Sequence, residues 1–499
     1  MPPSDVVTPT YGNWRRPSSP GLGNLGFGGT VAMLGGLTLV IFGLMISVMV
    51  GVVLLVVVLF ALAPLVYRDR WQRSGYERMA EWFQWTMHKR KGHHLYVAGP
   101  LSRMPAATCG LPGLAAAMTV TERPDAHGRP FVLLHHPTPG HVSTVLECGS
   151  SGAEMVDSDQ VDQWVAGWGA WLADLGHEEG LVGASVTVET APDTGIRLRH
   201  AVESRLAPDA PPMAVASMRE IVDTFPAGAA ATTCRLTLTW TRARPGGRRR
   251  SVDDMAIEIG SRLPELTNAL AVTGAGAARP MTAAALAKAI RVAYDPDVAT
   301  AMEAAGPEAG DVTWADAGPV QAEERPGEYL HDGAVSVSWV MGEAPRGAVR
   351  STILRRLLEP HPEIARKRVT LLYRPYTPSK AAELVDNDVL DAQFNATQRR
   401  TVRARDSVNV SAAAKAAEEE ALGAGLVRFA SIVTATVADD GVSDTVSRAV
   451  SVIEHLGGAS RIRLRRAWRA QAPTFTAGLP LGLVLPAHLR LPGDWRERV

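Results

Sequence analysis

From Pro17 to Tyr67 the chain carries no charged residue, and from Gly26 to Val66 nearly every position is apolar. As one straight helix that apolar run is about 60 Å long at 1.5 Å per residue. A bilayer's hydrocarbon core is about 30 Å thick, so two short spans fit and one does not. The expected spans are Gly26 to Phe42 and Ser47 to Val66, with a very tight turn at Gly43 to Ile46. Arg15 and Arg16 precede the run, and Arg68, Arg70, Arg73, Lys89, Arg90 and Lys91 follow it. Basic flanks prefer the cytoplasmic side, and only an even number of spans puts both there. A signal peptide has a far shorter apolar core. A single tilted or kinked helix is the remaining alternative.

The pattern changes after Tyr67. Residues 68–91 mix arginines with aromatics and read as an amphipathic helix at the membrane surface. Arg68, Arg70, Trp71, Arg73, Trp82 and Trp85 are its candidate interface residues. The competing reading packs those aromatics on the next domain. Farther on, Phe131 to His135 and His141 to Glu147 read as strands around the turn Pro137-Thr138-Pro139-Gly140. Ser158 to Leu175 reads as a helix with Val161, Trp164, Trp168 and Trp171 at helical spacing. Ala184 to Glu189 and Thr233 to Thr241 alternate as strands, the latter with clean period two. Val252 to Ala269 and Thr282 to Tyr294 read as helices, and residues 300 to 333 as irregular. Val335 to Met341 and Val369 to Tyr373 read as strands, with a helix near Val349 to Glu359. Ser411 to Leu422 is helical. Leu426 to Val437, Ser443 to Leu456 and Arg461 to Arg466 form strand, helix, strand. The expected fold class is α+β: a two-helix transmembrane hairpin followed by cytoplasmic mixed α/β domains with split β-α-β units. The expected divisions are a tail at 1–25, the hairpin at 26–67, the juxtamembrane helix at 68–91, and two domains at 92–211 and 212–499. No internal repeat is legible.

Composition adds little pull toward any partner. The 51 basic and 51 acidic residues of the 499 cancel, so electrostatic binding must come from local patches. Cys109, Cys148 and Cys234 lie far apart and give neither a disulfide framework nor a zinc spacing. None of the six lysines completes a Gly-x-x-x-x-Gly-Lys-Ser/Thr loop, which argues against an ATPase. There is no Gly-x-Ser-x-Gly elbow and no His-Glu-x-x-His. His127, His135, His136 and His141 are the densest titratable group, but His135 and His136 face opposite sides of a strand. Asp386, Asp388 and Asp391 resemble a cation loop only loosely and read as a solvated loop. Arg242, Arg244, Arg248, Arg249 and Arg250 crowd a loop with Pro245-Gly246-Gly247. That loop is the candidate contact for nucleic acid or an acidic partner, against the plainer reading of a solvated loop. No catalytic, metal or cofactor residue is assigned.

Several segments carry a resemblance. They are Gly128-Arg129-Pro130-Phe131 with Pro139-Gly140-His141, the run Gln163 to Leu172, the run Ala184 to Pro192, and Phe475-Thr476-Ala477-Gly478-Leu479-Pro480-Leu481-Gly482. On these the chain resembles a family of actinobacterial membrane proteins encoded on integrative and conjugative elements. More distantly, the layout is similar to a type IV secretion system's two-span inner-membrane subunit fused to the amino-terminal domain of its ATPase, without the motor. The resemblance implies a non-catalytic inner-membrane platform for a conjugation-type apparatus, with the bulk of the chain cytoplasmic. The implied partners are membrane lipid, a separate secretion ATPase, other translocation subunits and DNA, in an oligomeric complex. A type VII secretion membrane component and a membrane-bound enzyme using the histidines are the alternatives.

Overall fold

The computed structural model describes residues 11–12, 14, 27–71, 73–99, 102, 108–149, 152, 156–224, 230–244, 247, 249–305, 312–345, 347–397, 404–441 and 443–489. Arg15, Arg16, Arg248 and most of the tail lie outside them. Two compact units form: one mainly of Leu95–Arg490, the other mainly of Trp14–His94.

The smaller unit is a helical hairpin and a third helix. Helix α1 (Phe27–Ile46) and helix α2 (Val48–Val66) are both uncharged and, apart from Thr30 and Thr38, apolar. The break falls at Ser47 alone, whose backbone is extended and whose Oγ accepts from the Met49 N–H at 3.3 Å. The expected turn at Gly43 to Ile46 is therefore helical, and α1 runs one turn longer than expected. A one-residue connection works because glycines let the helices close on each other. A Cβ on Gly43 would sit 2.5 Å from Leu54, one on Gly51 2.4 Å from Leu44, and one on Gly36 2.7 Å from Val58. Small residues at such seams permit the packing that holds helices together in lipid. Helix α3 (Gly75–Arg90) starts in a capping box of Ser74 and Glu77.

The larger unit is built on a 13-stranded antiparallel sheet. Its first element, β1 (Leu95–Val97), pairs at one edge. The rest is two copies of one plan. The first copy runs β2 (Thr119–Pro124), β3 (Pro130–His136), β4 (His141–Cys148), α4 (Ser158–Asp174), β5 (Leu181–Pro192), α5 (Ile196–Glu203), α6 (Pro212–Thr224), β6 (Ala230–Thr241), α7 (Val252–Ala269), β7 (Ala278–Pro280) and α8 (Ala283–Tyr294). A short α9 (Ala299–Ala304) follows. The second copy runs β8 (Gln321–Glu324), β9 (Tyr329–His331), β10 (Ala334–Glu343), α10 (Arg355–Leu358), β11 (Arg366–Pro375), α11 (Pro378–Thr397), α12 (Ala404–Ala421), β12 (Val427–Ala438), α13 (Ser443–Ala459), β13 (Arg463–Arg466) and α14 (Gln471–Ala477).

The sheet order is β1-β8-β9-β10-β12-β11-β5-β6-β4-β3-β2, with β13 on β10 and β7 on β4. Read from either side of the β5–β11 pair, the order is the same. A pseudo-twofold axis passes through that pair, where Thr187 faces Thr370. Within each copy, β4 and β5 run parallel around antiparallel β6, as do β10 and β11 around β12. These are the expected split β-α-β units. The expected boundary near 212 does not divide the fold. Strand β6 lies between β5 and β4, so residues on both sides of that point build one copy. Residues 300–333, expected to be irregular, supply β8 and β9.

Period-two alternation sorts the side chains. One face carries Val142, Leu146, Leu236, Leu238 and Trp240 under α4 and α7, and Val335, Trp339, Val369 and Val433 under α10 and α13. The other face is rich in hydroxyls: Ser143, Thr187, Thr237 and Thr239 in one copy, Ser336, Ser338, Thr370, Thr434 and Thr436 in the other. All are buried.

Candidate functional site

The hydroxyl face is closed by the chain's own segment 471–483. Gln471 accepts from the Ser338 N–H at 2.8 Å. Thr370 donates to the Gly478 carbonyl at 2.7 Å, beside the pseudo-axis, and Thr239 to the Gly482 carbonyl at 3.0 Å. The segment therefore crosses from the second copy to the first and is pinned to both. Gly482 has φ +70°, and a Cβ there would lie 2.4 Å from both Ser143 Oγ and Thr239 Oγ1. Only glycine fits that crossing.

Beneath the segment each copy holds the same chain of hydrogen bonds. His136 Nε2 meets Ser143 Oγ at 3.0 Å, and Ser143 meets Thr239 at 2.9 Å. His331 Nε2 meets Ser336 Oγ at 2.7 Å, and Ser336 meets Thr436 at 2.7 Å. Burial lowers His136 to about 3, and lowers His331 to about 4. His141, buried beside His488 and Arg249, is lowered to about 4. These imidazoles are neutral near pH 7 and serve the interior. Among the described residues, no three His, Cys, Asp or Glu gather as a metal set.

Near the axis, Glu189 is buried among three arginines. Arg366 donates to it at 2.8 Å, Arg235 at 3.2 Å and Arg368 at 3.4 Å. Burial alone pushes the carboxyl up, but the Arg368, Arg366 and Arg235 guanidiniums more than reverse this and hold it at about 2. Arg368 also lies over the Phe475 ring, 5.3 Å from its centroid. A weak sign of this cluster lies in the alternation of β5 and β11, which places Glu189, Arg366 and Arg368 on one face.

The arginine loop splits by role. Arg250 is buried, paired to Glu258 at 2.6 Å and bonded to the Thr241 carbonyl at 3.0 Å. Arg242 donates through Nε to the Arg250 carbonyl at 2.8 Å and meets His135 Nε2 at 3.0 Å. These two candidate contact residues are committed to the fold. Arg244 and Arg249 are exposed. Asp386, Asp388 and Asp391 lie within helix α11, not in a loop. Cys148 and Cys234, far apart in sequence, are direct cross-strand partners in β4 and β6. A hydrogen bond between the thiols pushes Cys148 up and Cys234 down.

At the hairpin's end, Arg73 pairs with Glu81 and Arg70 lies over the Trp71 ring. Tyr76 Oη donates to the Ala61 carbonyl at 2.6 Å, which ties α3 to α2. Trp85 stacks on His88 and is half-buried. Trp82, Met79, Phe83 and Met87 are exposed along one side of α3. Both α1 and α2 are long and apolar enough to cross a membrane. Their side chains face outward; Phe60 is 83% exposed and Ile46 78%. Helices of a soluble core would be covered instead.

Residues 18–77 match the family model of a domain of unknown function, DUF8461. The match takes in α1, α2 and the start of α3. No curated protein matches the chain. The chain is a hairpin membrane anchor joined to a large α+β unit.

Proposed function

We propose that this chain is a non-catalytic platform subunit of a conjugation-type secretion and DNA-transfer apparatus in the bacterial inner membrane, with its bulk cytoplasmic. The observation that carries the reading is the outward-facing apolar hairpin joined to a large, internally braced sheet unit. Basic residues cluster where α2 ends, and the basic side of a membrane protein is the cytoplasmic one. The aromatic and basic side chains of α3 suit the headgroup layer. In the interior, Glu189, His136 and His331 are spent on internal hydrogen bonds and ion pairs, which favours a structural over a catalytic role. The motor in this reading is a separate ATPase docked on the platform, beside other translocation subunits.

Co-purification tests it. Detergent extraction from cells carrying the gene neighbourhood should bring down an ATPase or another translocation subunit. Recovery of the chain alone, under conditions that keep other membrane complexes whole, overturns the reading. Direct DNA contact in this reading belongs to the exposed Arg244 and Arg249. The double substitution R244Q/R249Q should weaken salt-dependent DNA binding. Unchanged binding removes DNA from the partners of this loop.

A further inference from the structure

The two copies differ at one seam. In the first copy, the 17-residue helix α4 lies on the turn that follows α7, at Leu270–Thr273. The packing there is close. A Cβ on Gly167 of α4 would stand 2.6 Å from the Val272 carbonyl oxygen, and one on Gly274 2.8 Å from the Trp164 ring. The helical segment ends at Gly274 with φ +75°, as a left-handed terminus prefers.

In the second copy the counterpart of α4 is a 3-10 turn at Ser351–Leu354 and the four-residue α10. So short an element cannot fill the seam. A pocket of about 590 Å³ opens there, with Val349, Arg350, Ile353, Arg355, Arg356 and Arg461 in its lining. The left-handed residue that ends this copy's helical segment is Arg461, with φ +55°. A non-glycine residue held there costs on the order of 1 kcal/mol, so the position keeps its side chain against a backbone preference.

Among the described residues, four arginines and no carboxylate line the pocket. Arg355 is paired with Glu359 at 3.1 Å. The side chains of Arg350, Arg356 and Arg461 make no ion pair with any described residue. Like charges gathered around one concavity repel unless an anion sits among them. Guanidiniums match phosphate oxygens in geometry as well as charge. The volume lies in the range of small-molecule sites, roughly 300–1,000 Å³. Val349 and Ile353 supply an apolar wall beside the charge.

We infer that this seam is a binding site for the oligophosphate group of a small molecule, of the nucleoside triphosphate class or free. Its occupation adds an anion that joins the β10–β11 connection to the end of α13. The inference is independent of the platform reading, since it needs neither an ATPase partner nor DNA.

Calorimetric titration of the full chain in detergent, at about 0.15 M salt to screen loose ion binding, tests it. Inorganic triphosphate should bind saturably at one site per chain. The variant R356Q/R461Q should bind about tenfold or more weakly, as expected for losing charge-assisted hydrogen bonds. Its denaturation midpoint should stay level or rise, because repulsion is relieved. The variant R205Q, at an exposed arginine just after α5, should bind as the parent does. If a nucleoside triphosphate binds more tightly than triphosphate, the apolar wall holds a base; equal affinities assign the site to free oligophosphate. No saturable heat, or equal binding by R356Q/R461Q and parent, overturns the inference. So does displacement by single-stranded oligodeoxynucleotides whose affinity grows with length, which marks an extended nucleic-acid surface.

Discussion

Replacing Glu189 with glutamine keeps the side chain's shape and removes its charge from the midst of Arg235, Arg366 and Arg368. The carboxyl's ordinary value is 4.5, and the fold holds it at about 2. A lowered value in the folded state means that folding stabilises the ionised form, by about 1.4 kcal/mol per unit. The Glu189 charge therefore contributes about 3 kcal/mol. Two buried guanidiniums, Arg235 and Arg368, and the partly buried one of Arg366 left without their anion give a similar figure, since breaking a buried pair costs about 3–5 kcal/mol. That contribution is present in full above about pH 4.5 and is lost as pH falls toward about 2. Denaturant unfolding of the full chain in detergent, followed by tryptophan fluorescence, should show E189Q destabilised by about 3 kcal/mol at pH 7. The gap between parent and variant should narrow as pH drops below about 4.5. A variant within about 0.5 kcal/mol of the parent at pH 7, or a gap that does not respond to acid, refutes this account of the cluster.

Gly482→Ala should cost about 2 kcal/mol or more, from the left-handed backbone and the collision with Ser143 and Thr239, read as a lower denaturant midpoint. In a variant lacking the native cysteines, G36C/V58C should cross-link readily, because those positions touch across the hairpin; failure would restore a single kinked helix. Burial holds His136, His141 and His331 well below their unfolded values, so the unfolded chain takes up more protons as acidity rises. Stability should fall as pH drops from about 6.5 to about 4, and their ring signals in NMR should stay those of neutral imidazole at pH 6.

Much of the secondary structure was legible because the strands alternate and the helices carry clear apolar faces. Val252–Ala269 and Ser443 onward needed no tertiary information. The duplication was hidden because few of the equivalent side chains are identical. His136, Ser143 and Thr239 answer to His331, Ser336 and Thr436, but the apolar positions around them differ freely, since any residue of suitable volume fills a core. The period-two pattern of β6 correctly marks a strand but does not say which face meets water, and Thr237 and Thr239 are buried beneath residues 471–483. Hydroxyls can satisfy one another, so a polar row need not face water. The arginine loop shows the converse: Arg242 and Arg250 look solvated in sequence because their partners, His135 and Glu258, come from other elements. The Arg461 seam left no mark in the sequence, since it is the absence of a helix's bulk that opens it.

Strand β5 is where the two copies of the plan meet. Standing alone, the first copy would present that strand as an open edge, and an open edge invites a second chain. Two such chains pairing edge to edge would form a homodimer at a protein concentration set by the cell. Linking them in one polypeptide makes the pairing intramolecular, at an effective concentration of the millimolar order for a short connection. Covalent linkage also lifts a restriction that symmetry imposes on any homodimer, where each change appears twice. In a single chain, one seam can be packed shut by tryptophan and glycine while its twin is left open and charged.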